Sequence, residues 1–235
     1  MNLTNATALI TGGSSGIGLA IGQALVGAGS RVAITGRDRA RVVQAAKTIG
    51  AHAITADVSS EEDVRRTYRE FLEKFGHLDV LVNSAGFGLR APLAEMDRAK
   101  FDAVFQTNVT GTMLMSREAA KHFIERKTGN IVNLGSTAAL RGAPNGTAYY
   151  ASKFAVRGMT ECWRAELRQH NVRVFLVNPS EVLTNFASNA GFGQDDDNPT
   201  KLQAEDIAHV VKTALEMHDR GFTTELTVFA TNPKD

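Results

Sequence analysis

The chain has 235 residues, 43% hydrophobic and 22% charged, which is ordinary for a globular protein and leaves room for one large domain or two small ones. Its 26 basic residues against 25 acidic ones exclude the electrostatic footprint of a nucleic-acid or anionic-membrane binder. A single cysteine, Cys162, excludes an intrachain disulfide and a C-x-x-C metal or redox pair, so no metal is expected.

Cys162 lies in the helical run MTECWRAEL and is expected to be a core thiol. The first residues, MNLTNATALITGG, enter a strand without a basic and apolar leader, and no apolar run approaches the 18 residues of a membrane span. The expectation is a cytoplasmic protein.

In chain order the pattern is strand, turn, helix, repeated. Ala6–Thr11 is a short apolar strand that ends in a glycine-rich turn. Ile17, Ala20, Ile21, Ala24 and Leu25 then form one helical stripe, stopped by Gly27 and Gly29. Arg31–Thr35 is the second strand, and Asp38 caps a helix to Ile49. Ala51–Ala56 is the third strand, and Ser59 or Ser60 opens an acid-started helix to Phe75.

Leu78–Asn83 is the fourth strand, followed by a loop and one long helix over Asp97–Arg126. Gly129–Gly135 is the fifth strand, Thr147–His170 a long helix and Val172–Asn178 the sixth strand. Residues 185–200 read as a mobile loop, Ala204–His218 as a helix and Thr223–Ala230 as the last strand.

Continuously apolar strands separated by helices mean a parallel sheet covered on both faces. The predicted fold is α/β: a single Rossmann domain over residues 1–235, with a doubly wound sheet of about seven strands. Ligands bind at the carboxyl ends of strands in such sheets. Gly12–Gly18, Arg37, Asp57, Asn83, Ser136 and Pro179–Thr184 all fall just past strand ends.

The turn T-G-G-S-S-G-I-G offers Gly12, Ser14, Ser15, Gly16, Ile17 and Gly18 as a pyrophosphate cradle. Its glycines admit the tight turn and a close backbone approach, and the helix N-terminus attracts the anion. No G-K-[ST] follows, which disfavours a P-loop nucleotidase. Farther along, Tyr149 and Lys153 stand four apart on one helix face. An ammonium beside a phenol favours the phenolate, and so tunes a proton donor toward neutral pH.

Taken together these pieces resemble the short-chain dehydrogenase/reductase family over nearly the whole length. The matching residues are Thr11-Gly12-x-x-x-Gly16-Ile17-Gly18, Asp57-Val58, Asn83-Ser84-Ala85-Gly86, Asn108, Ser136, Tyr149-x-x-x-Lys153 and Pro179 through Thr184. The resemblance implies that Asp57 and Val58 contact adenine, although Asp57 is also placed to cap a helix. It implies that Asn83, Ala85 and Gly86 line the cofactor cleft, and that Pro179, Val182 and Thr184 hold the nicotinamide end.

It further implies that Tyr149 is the general acid and base and that Lys153 lowers its pKa and holds the nicotinamide ribose. Ser136 would bind the substrate oxygen, and Asn108 would hold a proton-relay water. The family's base lies four before the lysine and thirteen after the serine. That selects Tyr149 over its neighbour Tyr150.

Two departures stand out: N-S-A-G replaces the family's N-N-A-G, and Pro179-Ser180 replaces Pro-Gly. NAD-using members carry an acid after the second strand, where this chain has Gly36-Arg37. A guanidinium there suits the 2′-phosphate of NADP(H), with NAD(H) still possible. One charge-assisted hydrogen bond of about 1.5–3 kcal/mol gives roughly ten- to a hundredfold preference.

The expected partner is a small carbonyl or alcohol substrate, with the loop at 185–200 closing over it. Resemblance to 3-oxoacyl-carrier-protein reductases and to 3-hydroxy acid or serine dehydrogenases points to a 3-oxoacyl or 3-hydroxy acid compound. A non-catalytic dinucleotide-binding regulator is the alternative. Association through the two long helices into a homodimer or homotetramer is expected by the same resemblance.

Overall fold

The apolar runs form strands β1 (Thr7–Thr11), β2 (Arg31–Gly36), β3 (His52–Thr55), β4 (Val80–Asn83), β5 (Gly129–Leu134), β6 (Val172–Pro179) and β7 (Glu225–Val228). They belong to a computed structural model that describes residues 1–184, 186, 198 and 200–232. All pairings are parallel, in the order β3-β2-β1-β4-β5-β6-β7. The helices are α1 (Gly16–Gly27), α2 (Arg39–Ile49), α3 (Glu61–Phe75), α4 (Arg98–Phe105), α5 (Thr112–Arg126), α6 (Thr147–Leu167) and α7 (Ala204–Glu216).

Side chains alternate across a strand, so one apolar strand feeds two cores. Along β1, Ile10 joins Ile21 and Leu25 of α1, Val42 of α2 and Val211 of α7. Leu9 points the other way and joins Val64 and Phe71 of α3 with Met115 and Phe123 of α5. Each fully buried side chain of this size contributes about 1.5–3 kcal/mol of transfer free energy. Caps fix where the helices start: Asp38 accepts from the Arg41 N–H at 3.0 Å, and Asp97 from the Lys100 N–H at 2.8 Å.

The chain winds outward from β1 in one direction through β2 and β3, and from β4 in the other through β7. At this switch the strand ends diverge and open a crevice. Thr11 ties the two sides together, its Oγ1 accepting from the N–H groups of Ser84 and Ala85, each at 3.1 Å.

Three expectations change. The long helix over Asp97–Arg126 is interrupted by a π-helical segment, Gln106–Gly111. The wide turn has local causes. The Asn108 side chain is drawn onto the Phe87 backbone, and Gly111 packs so closely on Val58 that a Cβ there would sit 2.6 Å from Val58 Cγ2.

Cys162 is exposed rather than a core thiol. The face of α6 turned inward carries Ala148, Ser152, Val156 and Thr160, and Cys162 falls opposite, with Phe154 and Gly158. The last strand is shorter than read because, as an edge, it pairs only with β6. The expected loop over 185–200 lies almost wholly outside the described residues.

Candidate active site

A cleft of about 1720 Å³ runs along the carboxyl ends of the strands. That volume exceeds the roughly 300–1,000 Å³ of a drug-sized pocket and accommodates a large ligand beside a small one. At its phosphate end, Gly12 and Gly16 take positive φ of 64° and 54°, a backbone region that favours glycine. A Cβ on Gly18 would meet the Gly12 carbonyl oxygen at 2.5 Å, so helix α1 and its turn close up only on glycine. Ser15 caps α1 without a side-chain hydrogen bond, which leaves the first-turn N–H groups without that partner.

Arg37 lines the cleft past β2, and so does Arg41 from the first turn of α2. Asp38 stands between them, but its carboxylate is engaged in capping α2. Asp57 and Val58 line the wall past β3. One Asp57 oxygen accepts from the Ser59 N–H and O–H at 2.9 and 2.7 Å, which orders the turn before α3, while Ser60 caps that helix.

The reacting end is built from β5, the turn after it and α6. Ser136 follows β5, and its Oγ accepts from the Ala138 N–H at 3.1 Å. Ser136 stands beside the Tyr149 phenol, where its hydroxyl favours the ionised form. Lys153, 8% exposed, donates from Nζ to the Leu134 carbonyl at 2.7 Å and lies 5.7 Å from the centre of the Tyr149 ring. Phe186 packs on Tyr149 with ring centres 5.3 Å apart, and Tyr150 stands edge-on to it at 6.1 Å.

Electrostatics here correct one expectation. Burial of the hydroxyl pushes Tyr149 up to about 12, and the neighbouring Ser136 hydroxyl offsets only part of that. Burial likewise brings Lys153 down to about 8. For Tyr149 desolvation is the largest influence, and it outweighs the phenol–ammonium attraction on which the lowered tyrosine pKa depended.

Gly12, Ser14, Ser15, Gly16, Ile17, Gly18, Ala85, Gly86, Pro179, Val182 and Thr184 all line the same cleft. Asn83 does not. Its amide turns into the interior and donates to Ser116 Oγ at 2.9 Å and Asn133 Oδ1 at 2.8 Å.

Asn108, 1% exposed, does not line the cleft either. Its Oδ1 accepts from the Phe87 N–H at 3.0 Å, and its Nδ2 donates to Phe87 O and Ser152 Oγ, both at 3.0 Å. Ser152 donates in turn to the Tyr149 carbonyl at 2.7 Å. A chain of hydrogen bonds therefore runs from the π segment to the first turn of α6. Sequence reasoning passed over Ser152 and Arg41; for Arg41 the available signal was its place four residues after Arg37, in the first turn of a capped helix.

A glycine turn at the switch of a doubly wound parallel sheet, with Ser136, Tyr149 and Lys153 at the next strand ends, defines a dinucleotide-type oxidoreductase cleft. The profile of short chain dehydrogenases matches residues 6–215, and the chain belongs to that family. It is 32% identical over 234 residues to an uncharacterized oxidoreductase of Staphylococcus saprophyticus, covering 97% of this chain and 98% of the relative.

Among solved structures, the 3-ketoacyl-(acyl-carrier-protein) reductase of Brucella melitensis in complex with NADH superposes with a TM-score of 0.90. The identity is 29%, with 97% of this chain and 98% of that one covered. A metagenomic short-chain oxidoreductase in complex with NADP gives 0.86 at 32% identity, covering 99% and 100%.

The Asn108–Ser152–Tyr149 chain makes a measurable claim. Ser152→Ala removes a buried hydroxyl that bridges two polar groups, and is expected to cost about 1–3 kcal/mol in urea unfolding. A midpoint equal to that of the parent protein would show that the bridge contributes nothing.

Proposed function

We propose that the chain is an NADP(H)-dependent oxidoreductase that interconverts a carbonyl and a secondary alcohol, with Tyr149 giving and taking the proton. The observation that carries this reading is that Ser136, Tyr149 and the buried Lys153 line one large cleft at the strand ends, with Lys153 5.7 Å from the Tyr149 ring centre. The cleft fits a nicotinamide dinucleotide. Gly12, Gly16 and Gly18 leave backbone room at the N-terminus of α1, and Val182 and Thr184 line the far wall. When bound, that group supplies or takes up the hydride.

The rest is the work of the protein's own side chains. Ser136 Oγ holds the carbonyl oxygen and stabilises the charge that develops on it. Tyr149 Oη delivers a proton to that oxygen in reduction and removes it in oxidation. Lys153 keeps two N–H donors beyond the one on Leu134, and these are available to a ribose. Asn108 and Ser152 hold the Tyr149 turn in place. A 3-oxoacyl or 3-hydroxy acid compound is the proposed substrate class, supported by the likeness to the Brucella melitensis reductase. The regulator reading is not favoured, since such a protein has no use for the paired Ser136 and Tyr149.

Arg37 and Arg41 together support preference for the 2′-phosphate, with the competing acid, Asp38, occupied at a helix cap. Arg37→Gln is expected to weaken NADPH binding by about ten- to a hundredfold and leave NADH nearly unchanged. Fluorescence titration with each reads this directly, and equal affinity of the parent protein for both would remove Arg37 from the role.

Tyr149→Phe should retain NADPH binding and lose turnover by about 10²–10⁴-fold; preserved reduction in that variant would end the mechanism. The pH profile has its own signature. Reduction needs the phenol, which persists to about 12, and the Lys153 ammonium, which is lost above about 8. Because kcat/KM reports the free enzyme, its value for NADPH is expected to fall above about pH 8. A profile flat to about pH 10 would show that Lys153 is not the titrating group.

A further inference from the structure

The two ends of the cleft differ in charge. At the nucleotide end, arginines and acids are mixed; Asp38 is engaged in capping α2 and Asp57 in bonding Ser59. Ala138 adjoins Ser136, Tyr150 and Phe186 adjoin Tyr149, and Phe87, Arg90 and Arg141 line the same cleft. These residues add aromatic and apolar surface and the Arg141 guanidinium to the cleft. Glu181, which lines the neighbouring wall, is paired with Lys201 at 3.1 Å.

Arg141 is placed by short-range structure. Ser136 starts a 3₁₀ turn, Thr137–Ala139, which the Ala139 N–H to Ser136 carbonyl bond of 2.9 Å and the Leu140 N–H to Thr137 carbonyl bond of 3.0 Å hold tight. Arg141 follows that turn directly, so its backbone is fixed relative to the Ser136 hydroxyl. Farther on, Asn145 accepts from the Ala91 N–H at 2.9 Å, which locks the loop carrying Arg90 to the turn that leads into Tyr149. Among the described residues Arg141 has no acid to pair with. A guanidinium facing a cleft with apolar walls has strong affinity for a carboxylate, which it grips with two parallel hydrogen bonds.

We propose that the carbonyl substrate carries a carboxylate and that Arg141 binds it, which makes Arg141 the residue that selects acids over neutral ketones. This rests on the reading of Ser136 and Tyr149 as the carbonyl site. A phosphate would satisfy the same guanidinium, so the probes must separate the two sources.

NADPH oxidation is followed with acetoacetate, its methyl ester and acetoacetyl-CoA, in the parent protein and in Arg141→Gln. The expected result is kcat/KM at least about tenfold higher for the acid than for the ester. Arg141→Gln then loses about ten- to a hundredfold on the acid, through KM, and leaves the ester unchanged.

An ester used as well as the acid overturns the proposal while leaving the oxidoreductase reading intact. So does an equal loss on acid and ester in Arg141→Gln. Arg141-dependent preference for the thioester replaces the carboxylate with a phosphate and overturns the assignment as stated. Loss of turnover with all three overturns both the proposal and the reading beneath it.

Discussion

The hydrogen bond from Lys153 Nζ to the Leu134 carbonyl, 2.7 Å long, is the contact on which the geometry of the reacting end depends. It joins the first turns of α6 to the last residue of β5. Tyr149 is one helical turn before Lys153, and Ser136 is two residues past Leu134, so a single bond fixes the distance between the two hydroxyls. Moving an ammonium into so dry a place is costly, and the fall of its pKa to about 8 expresses that cost. The same dryness lifts Tyr149. In the proposed mechanism, desolvation as well as charge sets these two groups for proton transfer.

Beneath the reacting groups lies a second polar layer where apolar packing would be expected. Asn83 and Asn133 face each other across β4 and β5, in register, and are joined by a 2.8 Å bond. Asn133 continues to Thr160 of α6 at 2.8 Å, and Asn83 reaches Ser116 of α5 at 2.9 Å. Buried amides cost stability unless they are bonded, and here the bonds are directional links between two strands and two helices. Apolar side chains of the same size would pack without fixing the slide of α6 along the sheet. The amide layer fixes it, and with it the height of Tyr149 above the strand ends.

Most of the fold was legible because strands buried on both faces are continuous apolar runs, and because Asp38, Ser60 and Asp97 cap helices by local chemistry. The glycine turn and the Tyr149–Lys153 pair were legible for the same reason: each depends on neighbours close in sequence. Where Asn83 and Asn108 point was not. Both follow β4 or pack over it, and an amide at a strand end serves equally well facing the cleft or the interior. The choice was made by Ser116, Asn133, Phe87 and Ser152, which are distant in the chain. The π segment escaped for a related reason, since one extra residue in a helical turn leaves the apolar periodicity of Asp97–Arg126 almost unchanged. Cys162 was misplaced because small residues on both faces of α6 blur its buried stripe.

Asp38 shows why identity alone does not settle the role of an acid beside a nucleotide site. It directly follows Arg37, in the region where an acid that holds ribose hydroxyls is looked for. Its carboxylate instead accepts from the Arg41 N–H, the bond that starts α2. Pulling it away to bind a hydroxyl would leave the end of α2 uncapped, at about 0.5–2 kcal/mol. That bond also places Arg41 on the cleft wall with Arg37, so the cap does two things at once. It removes a negative charge from competition and adds a positive one. The proposed preference for an extra phosphate at this end then follows from how α2 begins, with Arg37 one part of an arrangement that includes its neighbour's cap.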